Sequence, residues 1–111
     1  RMSKLEQARN PRSTTLDFED VVVRPYKVIA TGRLTKNGIT LILTTKHYRV
    51  AEKLTIALAK HGYELDTYVD YDGRWRIRIP NLGNEDVDKI RKIARDTLSR
   101  KSEQQIMLAT N

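Results

Sequence analysis

The sequence predicts an α+β domain of order β-β-α-β-β-α, with one four-stranded antiparallel sheet, both helices on one face and the other face open. Three observations point there. Two stretches of alternating side chains are each interrupted by a turn signal, Asn37-Gly38 and Asp72-Gly73. Each stretch is followed by a segment whose apolar residues recur at helical spacing. The chain has 111 residues, 39% hydrophobic and 32% charged, which suits one modest core and a single domain.

The first hairpin runs from Tyr26 to Lys36 and from Ile39 to Thr45. A two-residue Asn37-Gly38 loop would pair Lys36 with Ile39 and Leu34 with Leu41. Val28, Ala30, Gly32 and Leu34 then share an apolar face with Ile39, Leu41 and Leu43. The other face carries Lys27, Ile29, Thr31, Arg33 and Thr35 with Thr40, Ile42 and Thr44.

Residues 46–61 read as the first helix. Val50, Ala51, Leu54, Ala57 and Leu58 form its buried stripe, Thr45 is the expected N-cap, and Gly62 the expected stop. Lys46, Arg49, Lys53 and Lys60 make a basic stripe on the far side.

In the second hairpin the face pattern decides the register. Leu65, Thr67 and Val69 should face the core together with Trp75, Ile77 and Ile79. A two-residue Asp72-Gly73 loop would put these sets on opposite faces. A three-residue loop, Tyr71-Asp72-Gly73, with Gly73 left-handed, brings them together. Val69 then opposes Trp75 and Thr67 opposes Ile77. On the outer face Asp70 opposes Arg74, Tyr68 opposes Arg76 and Asp66 opposes Arg78, which predicts two cross-strand ion pairs and an Arg–Tyr contact.

Residues 84–99 form the last helix, with Val87, Ile90, Ala94, Thr97 and Leu98 inward and Asn84 as its expected cap. Residues 1–17 read as a flexible arm, 18–100 as the domain, and 101–111 as a tail or helix extension. Ile106, Met107 and Leu108 in that tail would suit a homodimer contact.

Formal net charge is +7, and its distribution is uneven. Residues 21–63 hold eight basic side chains against Glu52 alone. Such a concentration is the footprint expected for a polyanion. Cysteine is absent, which excludes a disulfide framework, a zinc ribbon and a thiol nucleophile. No window approaches the roughly 20 consecutive apolar residues of a membrane span, and the first residues lack a secretory pattern. The expectation is therefore an intracellular protein, cytoplasmic or nucleoid-associated, with no membrane partner. The high charge also fits a thermophilic source.

Catalytic signals are sparse. His47 and His61 stand near opposite ends of one helix, so neither supports the other as a metal ligand. No glycine-rich phosphate loop occurs, and neither a catalytic residue nor a cofactor is assigned. Asp17, Glu19 and Asp20 cluster before the first hairpin and could hold Mg²⁺ for phosphodiester chemistry. Asp66 and Asp70 also share a face, but Arg78 and Arg74 neutralise them in this register.

Two surfaces are candidates for nucleic acid. The open sheet face offers Lys27, Thr31, Arg33, Thr40, Tyr68, Arg74, Arg76 and Arg78, with Lys36 at the hairpin tip. The helix stripe offers Lys46, Arg49 and Lys53 as phosphate contacts.

From Lys27 to Leu98 the pattern resembles half of a LAGLIDADG homing endonuclease. The residues that carry the likeness are ITLILTTKHYRVAEKLTIALAKHGYELDTYVDYDGRWRIRIP, positions 39–80. The resemblance implies that the open sheet face, including Arg33, Thr40, Arg74, Arg76 and Arg78, lies against DNA. That family's motif helix would precede Tyr26, where this chain instead reads STTLDFEDVVVRPYK.

The resulting expectation is a non-catalytic DNA-binding domain, with DNA favoured over RNA. A binder of single-stranded DNA or RNA, a Mg²⁺-dependent nuclease, and a protein-interaction subunit are the alternatives.

Overall fold

Antiparallel pairing organises the chain around its two hairpins. The computed structural model describes residues 15–110, with side chains through Arg100. Most of the expected N-terminal arm, residues 1–14, lies outside the described residues, as do the side chains of Ile106, Met107 and Leu108. Strand β1 spans Thr15–Val23, β2 Tyr26–Thr35 and β3 Gly38–Thr45. Helix α1 spans Tyr48–Lys60, followed by β4 at Asp66–Val69, β5 at Trp75–Leu82 and helix α2 at Asn84–Thr110. The sheet order is β1-β2-β3-β5-β4.

The sheet therefore has five strands, where the sequence pattern had suggested four. The extra strand begins at Thr15, within the stretch read as a flexible arm. A phase break conceals it: Leu16 and Phe18 alternate, then Val21 and Val23 alternate one step out of phase. A bulge restores the pairing. Phe18 opposes Ala30 and Val21 opposes Val28, so Glu19 and Asp20 together span the space of Ile29. All four apolar side chains then reach the core side, where Val21 is fully buried.

The first hairpin has its expected faces but not its expected register. Leu34 opposes Ile39 and Thr35 opposes Gly38, so the loop is Lys36-Asn37. The pairing is slid by two positions, which preserves the side-chain parity. Thr35 Oγ1 accepts from the Asn37 N–H at 3.2 Å and donates to the Gly38 carbonyl at 3.0 Å. Gly38 is required by close approach rather than by the loop. Its φ is +121°, and a Cβ there would sit 2.7 Å from the Leu82 carbonyl oxygen of β5.

The second hairpin has the register that the face argument selects. Val69 opposes Trp75, Thr67 opposes Ile77, Tyr68 opposes Arg76 and Asp66 opposes Arg78. Gly73 has φ +80°, and its N–H bonds the Asp70 carbonyl at 2.9 Å. Thr67 and Val69 face the helix side yet stay exposed, because α1 packs mainly over β3 and β5 and reaches the edge strand β4 through the Thr55–Thr67 hydroxyl pair at 2.7 Å.

Both helices pack on one sheet face. Leu41, Leu43, Ile77 and Ile79 meet Leu54, Leu58, Ile90, Ala94 and Leu98 in one continuous core. Helix α1 ends as expected at Gly62: the Tyr63 N–H reaches the Leu58 carbonyl at 3.2 Å and the Gly62 N–H the Ala59 carbonyl at 3.0 Å. Its start differs. Thr45 stays in β3, where its hydroxyl accepts from the His47 N–H at 3.2 Å, and His47 is the cap residue with no side-chain bond to the helix. At α2, Asn84 is already helical. Asp86 instead reaches back to the Gly83 N–H at 2.9 Å, as the third residue of a capping box does.

Candidate nucleic-acid interface

The outer sheet face alternates charges in rows that run across the strands. One row places Asp17, Thr31, Ile42, Arg78 and Asp66 side by side, and the next places Ile29, Thr44, Arg76 and Tyr68 together. This is the face expected from parity, but its cations are largely matched. Arg78 Nη1 lies 3.7 Å from Asp66, and Lys27 Nζ lies 3.6 Å from Asp20.

Arg76 is the most fully engaged of them. Its Nε donates to Asp70 at 2.6 Å, its Nη2 to Asp72 at 2.7 Å and its Nη1 to the Thr44 hydroxyl at 3.1 Å. The expected Asp70–Arg74 ion pair is thus replaced by a diagonal Asp70–Arg76 pair. The guanidinium hydrogen bond holds the Asp70 carboxyl below the usual carboxylate range, with the Tyr71 backbone N–H adding to it. The same bond to Asp70 raises the already high Arg76 value. Tyr68 remains partly exposed beside this cluster.

The Arg74 side chain, without a carboxylate partner among the described residues, lines the end of the sheet. There the fold joins residues from the two surfaces that sequence reasoning had kept apart. Lys27 from β2, Arg74 at the start of β5, and Lys46 and His47 from the β3–α1 connection line one cavity of about 350 Å³. Pro25, Ile29, Thr44 and Thr45 complete its walls. Lys46 and Arg74 make no ion pair among the described residues. His47 packs its ring edge-on against Tyr26 with centroids 5.5 Å apart. The signal that could have found this site is positional. The end of β3 adjoins the starts of β2 and β5, so residues at those three chain positions converge.

The remaining expected contacts scatter. Arg33 is exposed opposite Thr40 and Thr15, toward the other end of the face where Lys36 sits in the hairpin loop. Arg49 projects from the first turn of α1. Lys53 lies in the helical layer, in a groove it lines with Ile56, Lys60, Ile93, Asp96 and Arg100 between α1 and α2.

The acidic cluster is divided by the β1 bulge. Asp20 turns to Lys27, while Glu19 is drawn to α2, where Arg91 Nε donates to its carbonyl at 3.0 Å and Arg91 Nη2 lies 3.5 Å from its carboxylate. Among the described residues, no three His, Cys, Asp or Glu side chains gather as a metal site would require. Among the described residues, no helix is long and apolar enough to cross a membrane.

Comparison with protein-family models, with curated proteins and with solved structures finds no match to this chain.

Proposed function

We propose that this protein is a non-catalytic nucleic-acid-binding domain that favours DNA over RNA. Its footprint is centred on the α1 end of the open sheet face rather than spread evenly over that face. The observation that carries the reading is the convergence of Lys46, Arg74 and Lys27 on one cavity, two of them without a carboxylate partner among the described residues. Arg49 extends the positive surface along the first turn of α1, and Arg33 and Lys36 offer outlying phosphate contacts. The likeness of residues 39–80 to half of a LAGLIDADG endonuclease supports DNA as the ligand and the open face as the side it approaches. An intracellular location follows from that ligand.

The test is fluorescence anisotropy with duplex DNA, single-stranded DNA and RNA of equal length at several salt concentrations. Duplex binding should weaken with salt, the logarithmic slope being about −0.9 per phosphate neutralised. Lys46→Ala and Arg74→Ala should each weaken binding. Salt-independent binding, or none at low salt, overturns the reading. Preference for unpaired strands would shift it toward a single-strand or RNA binder. Metal-dependent nicking of plasmid would replace it with a nuclease, and self-association without nucleic-acid affinity with an interaction subunit.

A further inference from the structure

The cavity at the sheet end is built for more than a passing backbone contact. It is a half-open recess of about 350 Å³, at the small end of the range for ligand sites. Its polar equipment consists of donors. Lys46 and Arg74 bring two positive charges that no carboxylate among the described residues pairs with. Lys27 brings a third, shared with Asp20 at 3.6 Å across an exposed and adjustable contact. The nearby acids Asp70 and Asp72 are held by Arg76, which keeps them from competing for Arg74.

Two hydroxyls add to this. Thr44 and Thr45 are both almost fully buried. Each already accepts one hydrogen bond, from Arg76 and from the His47 N–H respectively, so each has an O–H left to donate. The adjoining first turn of α1 carries no acidic residue, so the helix end repels no anion.

The charge count discriminates between phosphates. An internal phosphodiester carries one negative charge, whereas a phosphate monoester carries about −1.5 to −2 at neutral pH. Two uncompensated cations with a third in reserve match the monoester. Pro25 and Ile29 supply an apolar wall on which the attached sugar would rest.

We propose that this cavity is a phosphomonoester site that receives the terminal phosphate of a nucleic-acid strand. The assignment of the phosphate to a strand end rests on the nucleic-acid reading above; the assignment of the cavity to a phosphomonoester does not.

The experiment compares binding of one oligonucleotide sequence in three forms, 5′-phosphorylated, 3′-phosphorylated and unphosphorylated, with inorganic phosphate titrated separately by ³¹P NMR. The intact chain is used throughout. One phosphorylated form should bind at least about tenfold more tightly than the unphosphorylated strand, as charge-assisted hydrogen bonds would give. Lys46→Ala and Arg74→Ala, both of exposed or half-exposed residues, should abolish that difference and the phosphate signal change. If all three forms bind alike and phosphate does not bind, the terminal-phosphate site is wrong while nucleic-acid binding stands. If inorganic phosphate binds through Lys46 and Arg74 but no strand binds, the site stands and both the nucleic-acid reading and the strand-end source fall.

Discussion

Arg76 Nε donates to Asp70 Oδ2 at 2.6 Å, so the arginine beside Tyr68 is tied into the hairpin that carries it. With Asp72 and Thr44 also on its guanidinium, Arg76 closes the β4–β5 turn and links it to β3. That use withdraws it from the list of free nucleic-acid contacts and frees Arg74.

Arg76→Ala should therefore destabilise the fold more than Arg78→Ala. It breaks three bonds and strands the oxygens of Asp70, Asp72 and Thr44, whereas Arg78 makes one loose, exposed pair. Urea denaturation should show a clearly lower midpoint for Arg76→Ala and a change near zero for Arg78→Ala. Equal midpoints would count against the structural role.

The Asp70 pair sets a pH dependence. The carboxyl is depressed in the folded state, so its contribution is present above its unfolded value, near 3.9. It is lost as pH falls through the lower folded value. NMR titration of the Asp70 carboxyl should show a midpoint below the ordinary range, and Arg76→Gln should bring it back up. Asp70→Asn should flatten the acid side of the stability profile below about pH 4.

Gly38→Ala should cost more than about 3 kcal/mol, because strain at positive φ adds to a clash with the Leu82 carbonyl. Gly62→Ala should cost only about 1–2 kcal/mol, since its φ of +89° is unfavourable but nothing lies within 4 Å of the added Cβ. Chemical denaturation of the two variants measures the difference, and a Gly38→Ala cost no larger than that of Gly62→Ala would contradict the close approach.

β1 can be tested through its contact with β2. A Cβ on Gly32 would meet the Phe18 ring at 2.7 Å. Gly32→Ala should destabilise by about 1–3 kcal/mol through overpacking. Adding Phe18→Leu should recover part of that loss, a coupling that a detached N-terminal arm would not show.

The arginines should also separate in binding. Arg74→Ala should reduce duplex affinity and lower the salt slope by about 0.9, the value for one phosphate contact. Arg78→Ala should change both little, because Asp66 already neutralises it. Equal losses would spread the footprint over the whole face again.

Much of the fold was legible. The β4–β5 register was readable because one choice of loop length satisfied both faces, and each face independently rejected the alternative. The two helices and the Gly62 stop were readable from spacing and from the glycine that follows the stripe. β1 was not, because its bulge falls in the middle of the strand and two acidic residues interrupt the alternation there. The β2–β3 loop was placed one position off, which slides the pairing by two, because Asn37-Gly38 is a strong local turn signal and the demand on Gly38 comes from β5, far along the chain.

The sequence by itself determined which side chains share a face, since strand parity and helical spacing are local properties of the backbone. It also determined that the positive charge is concentrated centrally. Which charges are free was decided only by the tertiary structure. Asp70 reaches Arg76 rather than Arg74, and Lys27, Lys46 and Arg74 meet at one cavity because three strand ends are brought together. The physical reason is that side-chain pairing depends on distances across strands, and those are set by sheet order and register rather than by neighbours in the chain.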